Sequence, residues 1–159
     1  MRGIILVGGE GTRLRPLTCE LPKPMVPIVN RPFLEHMIAY LAGHGIDDIT
    51  LSLCYLPDRI REHFGDGSAH GVRLRYVVEP TPMGTAGAIR YVAGEAGFDG
   101  TTFVFNGDVF TDLDLTAMLD YHRRAGAKVT ISLTPVEDPT SYGVVEQEPD
   151  GRVRRFVEK

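Results

Sequence analysis

Cysteine is scarce in this chain. Cys19 and Cys54 are the only two in 159 residues, and they form no C-x-x-C motif. This argues against a disulfide-stapled fold and for a reduced, cytoplasmic setting. Long apolar runs are also missing: none approaches the roughly 18 residues of a membrane span. The N-terminus reads straight into a strand rather than a signal peptide, so no membrane association is expected. Basic charge is not in excess, with 17 Lys and Arg against 21 Asp and Glu for a net charge of −4. Such a surface offers no field to hold a nucleic-acid backbone. The five histidines, His36, His44, His63, His70 and His122, show no metal-ligand spacing. Internal repeats and low-complexity segments are absent. What remains is an ordinary globular composition, 43% hydrophobic, sized for one domain or part of one.

The periodicity alternates between strand and helix. Residues 3–7 read as a buried first strand. Residues 32–44 put Phe33, Leu34, Met37, Ile38 and Leu41 on one helical face, with Asn30 as the cap, Pro32 in the first turn, and Gly43 and Gly45 at the end. Residues 48–53 alternate briefly as a second strand. Residues 57–64 form a short helix, 72–78 a third strand and 85–96 an alanine-rich helix. Residues 102–105 are a tight apolar run of the buried kind, the fourth strand. Residues 115–125 form a helix with Asp112 or Asp114 near its cap, and 128–134 a fifth strand. Residues 142–147 and 153–158 pair as a hairpin around the Pro149-Asp150-Gly151 turn. Repeated strand–helix units predict an α/β, Rossmann-like fold, a mostly parallel sheet with helices on both faces. Ligands then bind beyond the C-terminal strand ends.

The chemistry concentrates first in residues 6–27, LVGGEGTRLRPLTCELPKPMVP. Gly8, Gly9 and Gly11 follow the first strand and leave backbone N–H groups free to approach an anion. Arg13 and Arg15 add positive charge. Lys23 is held between Pro22 and Pro24, which stiffen its backbone. A plain glycine turn with solvated charges is the simplest reading, but the conjunction of three glycines, an arginine and a bracketed lysine favours a grip on several phosphates. A dinucleotide fingerprint fails because its third glycine position holds Leu14, and no G-K-[ST] string supports a Walker loop.

Two further stretches leave strands on the same predicted edge. Glu79 to Ala88 reads EPTPMGTAGA, where Pro80 and Pro82 stiffen the loop and Gly84 and Gly87 open space before a helix; a proline turn into a helix is the alternative. Phe105 to Phe110 reads FNGDVF, an Asn-Gly-Asp turn or, beside the other two loops, a place for Asp108 to hold a metal ion. Magnesium takes few carboxylates and keeps waters and phosphate oxygens, so one Asp suffices as a first ligand. Asp112-Leu113-Asp114 is also a D-x-D, but its place just before a helix favours capping. Tyr142-Gly143 opens an alternating run and reads as a strand start.

GGEGTRLRPLT followed by PKPM resembles the signature of the sugar-1-phosphate nucleotidyltransferases, and the resemblance runs along the whole chain, most closely to the guanylyltransferase branch acting on mannose-1-phosphate. It implies the nucleotide-diphospho-sugar transferase fold, with a nucleoside triphosphate and a sugar-1-phosphate as partners and Mg2+ as cofactor. It implies nucleotide binding by Leu6, Gly8, Gly9, Gly11, Thr12, Arg13, Lys23, Glu79, Pro82, Gly84 and Thr85. Arg13, Lys23 and Asp108 are the implied catalytic residues, with Asp108 on the metal. Asn106, Gly107, Gly143, Glu158 and Lys159 are implied on the sugar-phosphate side. The loop around Glu79 holds the base in this family. Guanine presents two adjacent donors that a carboxylate matches side by side, whereas the thymidylyl branch has glutamine here; Glu79 is therefore expected to read guanine. The family continues beyond the position of Lys159, so the chain is expected to be the N-terminal part of a catalytic domain. The missing portion would carry the second metal aspartate, and the full-length protein is expected to be a homo-oligomer. Thymidylyl or uridylyl transfer to glucose-1-phosphate and a non-catalytic regulatory role are the alternatives. The implied reaction is a single in-line displacement that needs no protein nucleophile.

Overall fold

The computed structural model describes residues 1–97 and 100–157. It divides into two units, Met1–Asp112 and Leu113–Lys159.

The first unit is built on a four-stranded sheet. β1 (Arg2–Val7), β4 (Asp48–Leu53), β5 (Arg73–Val78) and β6 (Thr102–Asn106) lie in the order β5-β4-β1-β6, and every neighbouring pair is parallel. Between them come a two-stranded ribbon, β2 (Pro27–Ile28) with β3 (Arg31–Pro32), and three helices, α1 (Phe33–Gly43), α2 (Pro57–Phe64) and α3 (Gly84–Ala96). Adjacent β1 residues show that the sheet is covered on both faces. A Cβ built on Gly3 would lie 3.9 Å from Leu41 of α1, while Ile4 packs with Val77 and with Val92 of α3. Successive strand residues point to opposite faces, so α1 and α3 cover opposite sides. The core is aliphatic: Ile4, Ile5, Leu34, Ile38, Leu41, Ile49, Leu51 and Leu53 are almost wholly buried.

The strand order also fixes where a ligand can sit. From β1 the chain moves outward through β4 to β5, then returns across β1 to β6 on the other side. That reversal leaves a crevice at the C-terminal end of β1, flanked by the ends of β4 and β6.

The second unit contains α4 (Leu115–Ala125) and an antiparallel hairpin of β7 (Val144–Gln147) and β8 (Val153–Val157), with a register shift at Glu146 and Gln147. Asp114 is the cap of α4; its carboxylate accepts from the Ala117 amide at 3.0 Å, which settles the role of this aspartate of the D-x-D.

Four expectations are corrected. Residues 128–134 form no strand. Their alternating Val129, Ile131 and Leu133 are exposed, and a strand forms only where a neighbouring strand takes its backbone hydrogen bonds. Residues 48–53 do not alternate between core and solvent, because as an inner strand they are buried on both faces from Ile49 to Leu53. Residues 102–105 are only half-buried, because β6 is an edge strand here, with Val104 41% exposed. The cap of α1 is Pro32, not Asn30; Val29 and Asn30 have φ of 49° and 61° and form the ribbon's tip instead.

Candidate functional site

A cavity of about 370 Å³ opens at the crevice that the strand order creates. Its wall takes residues from three strand ends. β1 supplies Leu6 and Val7 and leads into Gly8 and Gly9; β5 leads into Glu79, Pro82, Met83, Gly84 and Thr85; β6 supplies Asn106 and leads into Gly107 and Asp108. Lys23 and Pro24 complete the lining beside Ala88 of α3. Eleven residues expected at the site from sequence therefore meet here: Leu6, Gly8, Gly9, Lys23, Glu79, Pro82, Gly84, Thr85, Asn106, Gly107 and Asp108.

The glycines are required by close approach rather than by flexibility in general. The Gly107 amide donates to the Leu6 carbonyl at 2.8 Å, and a Cβ on Gly107 would lie 2.7 Å from that same oxygen and against the Val7 side chain. This clamp delivers Asp108 to the mouth of the cavity. Gly11 has φ +64°, and a Cβ there would lie 2.9 Å from the Lys23 side chain. Its carbonyl accepts from the buried Thr18 hydroxyl at 2.8 Å. Gly11 thus seats the lysine stem rather than lining the cavity.

The charged groups are placed with clear consequences. The Lys23 ammonium donates to the Asp108 carboxylate at 2.6 Å, so the two expected catalytic residues are direct partners. Both remain partly exposed. Among the described residues Glu79 is the one buried acidic side chain, 6% exposed. Its Oε1 accepts from the Ser52 hydroxyl at 2.8 Å and its Oε2 from the Met83 amide at 3.0 Å, where α3 begins. A carboxylate at a helix N-terminus is also favoured by the helix dipole. Burial raises the Cys54 thiol above its ordinary value of 9.0, and the charges of Glu79 and Glu10 add to the effect, so this neighbour of the loop stays protonated at neutral pH.

The donor set fits a divalent cation held largely by its substrate. Among the described residues no group of three or more His, Cys, Asp or Glu side chains could hold a metal ion. Of the two carboxylates on the described cavity wall, Glu79 is held by Ser52 and Met83, and the partly exposed Asp108 suits a hard cation that keeps waters and phosphate oxygens as its other ligands.

Other expected residues lie elsewhere. Thr12 and Arg13 sit on an exposed 3-10 turn, Thr12–Leu14, outside the cavity wall. Gly143 belongs to the second unit, immediately before β7. Glu158 and Lys159 fall outside the described residues. Sequence reading missed Ser52, Met83 and Val7. Ser52 carried one signal, a hydroxyl between Leu51 and Leu53 at the end of β4.

Comparison with known proteins decides the family. The nucleotidyl transferase family matches residues 2–159. The chain belongs to that family. The mannose-1-phosphate guanylyltransferase of Mycobacterium tuberculosis is 47% identical over 156 residues, covering 98% of this chain and 43% of the relative. The mannose-1-phosphate guanyltransferase of Debaryomyces hansenii is 42% identical over 163 residues, covering 100% and 45%. The chain therefore spans less than half the length of these relatives. Among solved structures, HddC from Yersinia pseudotuberculosis complexed with GMP-PN superposes with a TM-score of 0.83 at 33% identity, over 99% of this chain and 69% of that one. A putative glucose-1-phosphate thymidylyltransferase from Bacillus anthracis gives a TM-score of 0.86 at 28% identity, over 99% and 64%. These likenesses agree with the expected nucleotidyltransferase fold and with the mostly parallel sheet. Among the described residues no helix of this family member is long and apolar enough to cross a membrane.

Proposed function

We propose that the full-length protein containing this chain transfers a guanylyl group from GTP to mannose-1-phosphate, giving a nucleoside-diphosphate sugar and pyrophosphate. The observation that carries the reading is one cavity wall holding the Gly8 and Gly9 loop, Lys23, Glu79 and Asp108 together. The names of the two curated relatives and the guanine nucleotide bound to the Yersinia neighbour support the choice of substrates.

In this reading a phosphate oxygen of the sugar-1-phosphate forms a bond to the α-phosphorus as the bond to the bridging oxygen breaks. Pyrophosphate departs with the electron pair. The nucleophile is already anionic, so the protein's task is alignment and charge stabilisation. Amides of the glycine loop and the Lys23 ammonium hold the triphosphate. Arg13, from its turn beside the loop, stabilises charge on the reacting phosphorus. Asp108 would hold a divalent ion, for which we infer Mg2+, and that ion supplies charge neutralisation on the phosphates when bound. Glu79 reads the base. Each of its oxygens has accepted one protein hydrogen bond, and an ionised carboxylate offers about two acceptor sites per oxygen. One acceptor per oxygen is left, side by side, which matches N1–H and the 2-amine of guanine. Asn106, Gly107, Gly143, Glu158 and Lys159 serve the sugar phosphate, with further contacts from the remainder of the protein.

The test is pyrophosphate release by the full-length protein with GTP, dTTP, UTP, ATP and CTP against mannose-1-phosphate and glucose-1-phosphate. GTP with mannose-1-phosphate is expected to turn over fastest. Turnover with dTTP or UTP alone would keep the reaction class and overturn the role of Glu79. A folded, nucleotide-binding protein with no turnover on any pair would point to a regulatory homologue.

A further inference from the structure

Strand β4 is buried from Ile49 to Leu53, yet two residues of that buried stretch, Thr50 and Ser52, are polar. Ser52 is 0% exposed and lies in register between Leu6 of β1 and Val77 of β5. A hydroxyl in such a place must find a partner, because leaving it unpaired costs free energy. Its partner is Oε1 of Glu79, 27 residues away in sequence, at 2.8 Å. The carboxylate is held from the other side by the Met83 amide on Oε2. Backbone contacts complete the seat. The Glu79 amide donates to the Leu53 carbonyl at 2.7 Å, and a Cβ on Gly8 would come within 3.3 Å of Oε1. The Glu79 head group therefore lies between a buried strand, a helix start and the glycine loop.

We infer that Ser52 is a positioning residue for base selection: its hydroxyl fixes the plane of the Glu79 carboxylate so that one free acceptor on each oxygen is presented together to a guanine nucleotide. The inference rests on Glu79 reading the base, as proposed above. The physical distinction is orientation. With Met83 alone, the carboxylate is pinned through Oε2 and can rotate about that contact, so the paired acceptors lose their common direction. With both donors the rotation is blocked. If Ser52 served only to satisfy a buried carboxylate, its loss would lower stability and weaken every nucleotide alike.

Inosine triphosphate separates these cases, because it keeps N1–H and lacks only the 2-amine. Affinities of the full-length protein for GTP and ITP are measured by calorimetry, alongside thermal unfolding. Ser52→Ala removes the donor. Ser52→Cys is near-isosteric and replaces it with a weak one, without opening a cavity. Ser52→Thr keeps the hydroxyl. The preference for GTP over ITP is expected to fall about tenfold in the Ala and Cys variants, the scale of one hydrogen bond to a charged group. It is expected to persist in the Thr variant. A preference within about twofold of the parent in both the Ala and Cys variants overturns the inference, twofold being well below the worth of such a bond; if the Ala variant does not fold, the Cys variant decides. Glu79→Gln is the separate control. A lost preference there with an intact one in the Ser52 variants leaves the Glu79 reading standing and removes only the role of Ser52. An intact preference in Glu79→Gln removes both.

Discussion

At single residues, the most informative contact is the pair between Lys23 and Asp108. The ammonium occupies the carboxylate that the proposed mechanism assigns to a cation. If that mechanism holds, lysine and cation compete for Asp108 until a triphosphate takes both. Lys23→Gln is expected to raise the affinity of the nucleotide-free protein for Mn2+, read by electron paramagnetic resonance, while turnover falls by about 100- to 1,000-fold. Unchanged metal affinity would mean that the pair has no part in the metal site. Arg13 offers the complementary case. It is exposed on its turn, so Arg13→Ala should leave the unfolding temperature unaltered. Its kcat should nevertheless drop by about 100- to 1,000-fold if the guanidinium stabilises the reacting phosphate. Near-parental turnover would remove it from the mechanism.

These residues were legible in the sequence because their types are unusual where they stand: three glycines clustered after a buried strand, a lysine between prolines, an acid after Asn-Gly at the end of an apolar run. Ser52 was not legible in that way. Its meaning depends on Glu79, and nothing local announces a contact across 27 positions.

Among the elements, the ribbon of β2 and β3 carries visible backbone strain. Both tip residues lie in the left-handed region, which a type I′ turn demands. Asn30 tolerates that conformation, but Val29 is β-branched, with φ 49°, and it is 84% exposed, so little packing offsets the strain. Val29→Gly is expected to stabilise the protein by about 1 kcal/mol, because the left-handed penalty is relieved at little packing cost. A lower unfolding temperature in this variant would show that the side chain makes contacts that outweigh the strain. The helices formed where their sequence periods placed them. Of the four misreadings, those of 48–53, 102–105 and 128–134 share one cause. Alternation reports which face of a strand is apolar, but not whether a second sheet neighbour covers the other face or whether any neighbour is present to accept hydrogen bonds.

Over the whole molecule, one ionic junction ties three strands at the edge opposite the cavity. Asp48 at the start of β4 accepts from Arg75 of β5 at 2.7 and 2.8 Å and from Arg73 at 3.1 Å, with Arg2 of β1 at 3.6 Å. Burial alone would raise this carboxyl, but Arg73 and Arg75 outweigh it and hold the group below its ordinary value of 3.8. A carboxyl whose folded pKa is depressed contributes stability in full above its unfolded pKa and loses it as pH falls through the folded one. Asp48→Asn should therefore lower the unfolding temperature at pH 7, and the gap from the parent should narrow as pH falls below 3.8. A gap independent of pH would assign the effect to packing rather than charge.

The fold and the site are coupled through the strand order: β1 in the interior of the sheet, its loop at the reversal, and the loops after β5 and β6 on the same edge. Amide hydrogen exchange of the full-length protein, with and without GTP and magnesium, tests that coupling most directly. Slowed exchange is predicted together at residues 8–9, 83–85 and 107–108, three segments far apart in sequence that line one cavity. Saturating GTP that leaves all three segments unprotected would place the nucleotide elsewhere and contradict the site described here.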